Sequence, residues 1–279
     1  MNISVVIPVF IENTFQLDLL NRALDSISEQ SISPTEVIVS DNSIGADWQQ
    51  KVKEIINRKE IHVKYIANCN TFGAANNTNY AVDRTKALLV HILHQDDYII
   101  NRKLYEEVSQ IFSKKSDIWL IAQGRVGDRV LDSKFNVTTK FGFNELGGPS
   151  SLFVLKENYI NFNPNYRMLI DVVNFHEYFL KIGNPYILEG INIQFSIHDN
   201  QLSKNITSKE VLLELSDFIK EYNVPSSEIE ATIKIIKREI HHQRLLLVAS
   251  LMQRKISVFF FTKYMCLSLV KALKRKIFN

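Results

Sequence analysis

The chain has 279 residues, 46% hydrophobic and 23% charged, with a net charge of +3; this ordinary globular balance excludes a disordered or fibrous chain. Its two cysteines, Cys69 and Cys266, stand in no CxxC or Cys/His spacing, which argues against a disulfide framework or a zinc site and fits a reducing compartment. No stretch approaches the roughly 20 apolar residues of a spanning helix, and six prolines and nine glycines leave little room for long linkers.

Met1-Asn-Ile-Ser-Val-Val-Ile-Pro8 lacks a basic leader and reads as a first strand rather than a signal peptide. It breaks at Pro8 to Asn13. Leu17, Leu20, Leu24 and Ile27 recur at spacings of three and four, which predicts a helix that Ser33-Pro34 stops. Glu36 to Ser40 is a second strand ending at Asp41-Asn-Ser43; Val52, Ile55 and Ile56 mark a second helix. His62 to Ala67 is a third strand, followed by Asn68 to Asn77 and a short helix. The apolar run Leu88 to Leu93 then ends abruptly in His94, Asp96 and Asp97. Strand and helix alternate at the spacing of a doubly wound parallel sheet, in which ligands bind beyond the carboxyl ends of the strands. Four such ends carry polar clusters. None carries GxGxxG or GxxxxGK[ST], which removes the main support for dinucleotide or P-loop binding. The crevice instead suits a nucleotide whose diphosphate is neutralised by a cation. The acid pair has a plainer reading too, with Asp97 capping a helix and Asp96 in a solvated turn.

Further along, Arg102 to Phe112 is amphipathic, Asp117 to Ala122 is a strand, and Gly124 to Gly142 reads as loop or hairpin. Gly147-Gly-Pro-Ser-Ser151 is a tight turn into Leu152 to Leu155. Asp171 opens a helix with Val172, Phe175 and Phe179 on one face, where a carboxylate is also favoured by the helix dipole alone. Pro185 to Glu189 and Ile191 to His198 read as two short strands. Helices follow over Lys209 to Tyr222, Ser227 to Leu251 and Ile256 to Ile277. Residues 234–279 hold eleven Lys and Arg against Glu239 alone, so this end carries +10 and the preceding 233 residues −7. The last helix reads either as packed on the body with a solvated basic side or as interfacial at anionic lipid, the reading favoured by its aromatics and lysines. No stacking platform or recognition motif accompanies the charge, which argues against nucleic acid.

Seven segments in order resemble family 2 of the glycosyltransferases, from Ser4 to about Ser203. They are Ser4-Val-Val-Ile-Pro-Val-Phe10, Glu36-Val-Ile-Val-Ser-Asp-Asn-Ser43, Gly73-Ala-Ala-Asn-Asn77, Leu93-His-Gln-Asp-Asp97, Gly148-Pro-Ser-Ser151, Leu169-Ile-Asp-Val-Val-Asn-Phe175 and Phe195-Ser-Ile-His-Asp-Asn-Gln-Leu-Ser203. The resemblance implies the α/β GT-A fold, a mostly parallel Rossmann-like sheet over residues 1–205; beyond it, the helices read from the pattern make a C-terminal module over 206–279. It implies an inverting transferase that moves a sugar from a nucleotide-diphosphate donor to a hydroxyl of a saccharide acceptor. The implied setting is bacterial surface polysaccharide assembly, of O-antigen or capsule type. The acceptor would be polyprenyl-linked and the enzyme cytoplasmic, peripheral on the inner face of the membrane.

Carried over by position, Pro8, Phe10, Glu12, Asp41, Asn77 and Asp96 contact the donor. Asp96 and Asp97, with His198, hold a divalent cation, Mn2+ or Mg2+, and Asp171 is the general base. Two positions depart from the family pattern: His94 replaces the first Asp of the metal motif, and Ile170 replaces the usual Glu before the base. His94 reads as a ribose or structural contact ahead of a ligand. The two departures motivate an alternative, a catalytically inactive nucleotide-sugar-binding or scaffolding subunit. A sugar-phosphate nucleotidyltransferase would share the sheet but needs a glycine-rich phosphate loop near the first strand, which is absent.

Overall fold

Strands β1 (Ile3–Val9), β2 (Glu36–Asp41), β3 (Val63–Ala67) and β4 (Leu89–Ile92) form a parallel block in the order β3-β2-β1-β4. Helices α1 (Thr14–Ser28), α2 (Ala46–Asn57) and α3 (Ala74–Val82) make the crossovers. A parallel sheet is covered on both faces, so β1, β2 and β4 are buried along nearly their whole length. Alternate side chains divide between the faces. Val5, Ile7, Val9, Val37 and Val39 pack with Leu17, Leu20, Leu24 and Ile27 of α1 on one side. Val6, Ile38, Val90 and Ile92 pack with Ala75, Ala81 and Val82 of α3 on the other. The computed structural model describes residues 1–69, 71–133, 146–199, 201 and 206–224.

The chain continues through β5 (Tyr98–Ile99), α4 (Leu104–Phe112), β6 (Trp119–Val126), β7 (Arg129–Val130), β8 (Leu152–Leu155), α5 (Ile170–Ile182) and β9 (Tyr186–Phe195). The full order is β3-β2-β1-β4-β8-β6-β9-β5, with β7 paired to β6. Along this path β8 and β5 run against the other six strands. The carboxyl ends of β1, β2, β3, β4, β6 and β9 therefore share one edge with the amino ends of β5 and β8. That edge is where the polar segments of the sequence collect.

Two details differ from the pattern-based expectation, and a third decides between its alternatives. β5 has only two residues, too few to show a period, and forms because Tyr98 and Ile99 pair with Gln194 and Ile193. The two short strands expected on either side of Gly190 are one, β9: pairing with β6 persists across the glycine, with a register slip between Ala122 and Gly124. The stretch after Gly124 begins as a hairpin, β6 turning at Gly127 (φ +58°) into β7.

By contacts the chain divides into two units, Met1–Asn205 and Ile206–Asn279. In the second, α6 (Ser208–Glu221) starts with a capping box: Thr207 Oγ1 accepts from Glu210 N–H, and Glu210 Oε2 accepts from Thr207 N–H at 2.7 Å. The helices expected over 227–251 and 256–277 lie outside the described residues. No helix among the described residues is long and apolar enough to cross a membrane.

The end of β9 is set by Phe195, whose ring is clasped between two glycines. A Cβ on Gly124 would lie 2.6 Å from that ring and 2.5 Å from the Ile193 carbonyl oxygen, and one on Gly147 (φ +102°) would lie 2.5 Å from the ring. Gly124→Ala should accordingly lower stability by about 1–3 kcal/mol, the usual range for an overpacked site, measured by urea unfolding. A midpoint equal to the parent's would show that the clasp is loose.

Candidate active site

Two polar clusters sit along the shared edge. The first joins the ends of β1, β2 and β3. Asp41, fully buried, accepts at Oδ1 from the Ser43 N–H (2.8 Å) and at Oδ2 from the Tyr65 hydroxyl (2.9 Å). Burial first, and the Asp41 charge second, push the Tyr65 phenol well up, so it stays a neutral donor. Asn77 Oδ1 accepts from Ser40 Oγ (2.6 Å) and Asn68 Nδ2 (3.0 Å), and its Nδ2 donates to the Ser40 carbonyl (2.8 Å). Asn42 Nδ2 donates to the carbonyls of Asn68 and Thr71. The Asn77 amide is thus engaged within the protein and fixes the strand ends. Pro8 is half-buried opposite Ser40 in the β1–β2 register, while Phe10 and Glu12 are exposed beyond β1. Gln95 ties that loop to the end of β4: its side chain accepts from Phe10 N–H (2.8 Å) and donates to the Phe10 carbonyl (3.0 Å).

The second cluster surrounds the acid pair. Asp97 is 6% exposed and its two oxygens are held separately. Ser150 Oγ donates to Oδ2 at 2.6 Å, and Ser196 N–H donates to Oδ1 at 2.9 Å. Burial, and then the Asp96 charge, push the Asp97 carboxyl above the usual carboxylate range, against the pull of Ser150, Ser196 and Arg22. Asp96 is more open, its side chain 21% exposed, and its Oδ2 accepts from His198 Nε2 at 3.0 Å. Phe15 of α1 meets the His198 ring edge-on, 5.6 Å between centroids. His94 is half-buried; burial keeps its pKa low in spite of Asp96, so its imidazole is neutral and offers a lone pair.

His94, Asp96 and Asp97 each place a ligand atom within 4.8 Å of the others, close enough to share one ion. Two carboxylates and a neutral imidazole suit a hard or borderline divalent cation. Burial, with the Asp96 charge second, disfavours the ionised form of Asp97, and a bound cation would favour it. The residues present therefore fit the group. His198 stands outside that set of three and reaches it through Asp96. Asp171 belongs to another element: it is half-buried in the first turn of α5, and its Oδ1 accepts from the Val172 N–H at 2.8 Å. The fold thus gathers His94, Asp96, Asp97 and His198, groups Asp41 with Asn77, and sets Asp171 at a helix start.

Behind the acid pair stands His91, fully buried in β4. It stacks on Phe153 at 4.0 Å, and its Nε2 donates to the Ser150 carbonyl at 2.9 Å. That leaves Nδ1 to accept from the Tyr105 hydroxyl, 3.2 Å away. Ser150 Oγ in turn accepts from His94 N–H at 3.0 Å while donating to Asp97. Sequence reasoning did not assign Ser150, Ser196 or Arg22 any part in the site. The first two lay inside motifs already quoted, Gly148 to Ser151 and Phe195 to Ser203. Arg22 carried no signal, because a cation between core leucines of a helix looks like ordinary surface.

This architecture is that of the GT-A nucleotide-sugar transferases. Residues 4–168 match the family model for glycosyl transferase family 2, and the chain belongs to that family and is a glycosyltransferase. Among solved structures it is similar to S. aureus TarS 1-349 in complex with UDP-GlcNAc: TM-score 0.62, 17% identity, covering 88% of this chain and 74% of that one. It is also similar to the mannosyltransferase PcManGT from Pyrobaculum calidifontis in complex with GDP-Man and Mn2+: TM-score 0.60, 13% identity, covering 96% and 80%. Against S. aureus TarS without that boundary the TM-score is 0.56, at 16% identity, and 43% of that chain is covered. No curated protein matches the sequence.

The buried imidazole behind the site makes stability pH-dependent. Burial pushes His91 down to about 4, opposed by its bond to the Ser150 carbonyl. Unfolded, the ring titrates near ~6.5, so below that pH the unfolded chain takes up a proton that the folded chain excludes. This contribution is intact above about 6.5 and is lost as pH falls toward about 4. His91→Gln should flatten the decline of Tm across that window; an unchanged acid limb would count against the assignment.

Proposed function

We propose that this glycosyltransferase moves a sugar, with inversion, from a nucleotide-diphosphate donor to a hydroxyl of a saccharide acceptor. The observation that carries the reading is the Asp96–Asp97 pair, Asp97 buried and Asp96 half-open, with His94 beside it, on the edge where the ends of six parallel strands converge. The ligands named for the similar structures, UDP-GlcNAc in one and GDP-Man with Mn2+ in the other, support a nucleotide-sugar donor and a divalent cation. Asp96, Asp97 and His94 would hold the cation, with His198 steadying Asp96. Bound there, a divalent ion supplies charge stabilisation for the departing diphosphate. The Pro8–Phe10–Glu12 loop lines the nucleoside end, with Asp41 buried behind it, and Asn77 acts there by fixing the strand ends.

Asp171 takes the acceptor hydroxyl proton as that oxygen forms its bond to the anomeric carbon. The bond from that carbon to the diphosphate oxygen breaks on the opposite side, and the leaving nucleotide keeps the electron pair. Asp171 stands in the first turn of α5, where the helix dipole favours negative charge, and the Val172 N–H holds its Oδ1 at 2.8 Å. The +10 C-terminal segment supports a setting at an anionic membrane surface, cytoplasmic in orientation, with a lipid-linked acceptor in surface-polysaccharide assembly.

Asp171→Asn should leave donor affinity nearly intact and lower turnover by about 10² or more, measured by nucleotide release with UDP- and GDP-sugars. Turnover at the parent's rate would remove Asp171 as the base. Asp96→Asn should abolish the Mn2+-dependent part of donor binding in calorimetry. The membrane setting predicts that the full chain co-sediments with anionic liposomes and that a chain ending at Met252 does so much less; equal binding would exclude the last helix as the anchor.

A further inference from the structure

Arg22 lies on α1 between the core residues Leu20 and Leu24. Its Nη2 donates twice, to the main-chain carbonyl of Asp96 at 2.8 Å and to Ser196 Oγ at 2.7 Å. Ser196 Oγ donates to the same Asp96 carbonyl, closing a triangle of hydrogen bonds. The Ser196 N–H then reaches Asp97 Oδ1, and Gln201 Nε2 donates to the Ser196 carbonyl at 2.6 Å. The guanidinium lies over the Tyr98 ring, 4.4 Å from its centroid. One side chain thereby joins its own helix to two segments that lie 74 and 174 residues from it in sequence.

Two further observations separate Arg22 from an ordinary surface cation. Its Nε is buried and has no hydrogen-bond partner among the described residues. Its partners are a carbonyl and a hydroxyl rather than a carboxylate, so its charge is not cancelled by an ion pair and acts on the neighbouring acids. The Asp96–Asp97 turn has little regular structure of its own, lying between a four-residue strand and a two-residue one. This triangle ties it to Ser196, just past the end of β9 and two residues before His198, alongside the Tyr98–Gln194 pairing and the bonds from Ser196 N–H to Asp97 and His198 to Asp96.

We infer that Arg22 is a positioning residue: it clamps the Asp96–Asp97 turn to the end of β9, so that the carboxylates and His198 keep one spacing, and cation affinity and turnover depend on it. The inference rests on the proposed reading of the acid pair as the cation centre. The clamp calls for arginine specifically. One planar nitrogen aims two N–H groups at two acceptors while the guanidinium plane rests on Tyr98; a lysine ammonium keeps the charge but loses the stack and the fixed fork.

The test uses the full chain with Arg22→Met, Arg22→Lys and Asp96→Asn, and Mn2+ alone as the probe, followed by the resonance of free Mn2+. Far-UV circular dichroism and Tm report folding. Arg22→Met should weaken Mn2+ binding about ten- to hundredfold, as expected when a group that orients a ligand is removed, with kcat falling alongside. Arg22→Lys should fall between it and the parent, and donor KM at saturating Mn2+ should change less than kcat. A merely structural role would lower Tm and leave the Mn2+ affinity of the folded protein unmoved. The inference is overturned if both Arg22 variants bind Mn2+ and turn over within about twofold of the parent while Asp96→Asn loses binding. Should Asp96→Asn itself retain Mn2+ affinity, the cation reading of the site falls first. If Arg22→Met fails to fold, Arg22→Lys and its Mn2+ titration decide the matter.

Discussion

Two adjacent carboxylates at the end of a buried strand repel each other, and one of them, Asp97, is closed off from water. The structure around them answers that constraint. Ser150 and the Ser196 backbone each hold one oxygen of Asp97, Arg22 brings positive charge to the turn, and His198 bonds Asp96. These contacts only partly offset the cost, since burial and the neighbouring Asp96 charge still hold the Asp97 carboxyl above the usual carboxylate range. A site that stays electrostatically unsatisfied after its own side chains have been counted is one poised for a cation or a charged ligand.

The direction of two strands decides which residues can reach that turn. β8 and β5 run against the other strands, so their amino ends arrive at the edge where β4 and β9 finish. β8 brings Ser150 in the 3-10 turn Pro149–Ser151, immediately before its first residue. β5 starts directly after Asp97 and pairs with β9, which places Ser196 beside the acid pair. The Phe195 clasp between Gly124 and Gly147 then sets where β9 ends. A fully parallel sheet would have carried Ser150 and the start of β5 to the opposite edge.

The family relationship and these contacts answer different questions. The match over residues 4–168 says what class of enzyme this is, and the similar structures, at 13–17% identity, say that the fold is shared. Neither reaches the level of His94 standing in the motif where the family has an acid, or Ile170 before Asp171. At His94 the fold supplies a physical account: burial keeps the imidazole neutral, and neutral imidazole is a competent partner for two carboxylates. For Ile170, partly buried against the core on the α5 side of the sheet, the contacts explain an apolar residue but not the loss of the acid.

The sequence by itself determined the alternation of strands and helices, the four polar strand ends, the acid pair and the resemblance that ordered them. Those features are local: burial on both faces of a parallel sheet imposes unbroken apolar runs, and a run's abrupt end in His94 and two acids is visible without a partner. It read Asn77 as a contact for the donor and did not show that the amide braces Ser40 and Asn68, because a polar side chain near a strand end looks the same whether it faces a ligand or its neighbours. Only the tertiary structure decided that Arg22, Ser150 and Ser196, 174 residues apart at their extremes, meet at one turn. Hydrogen bonds between distant segments leave no periodic trace, and the direction of β8 and β5 is set by pairing rather than by composition.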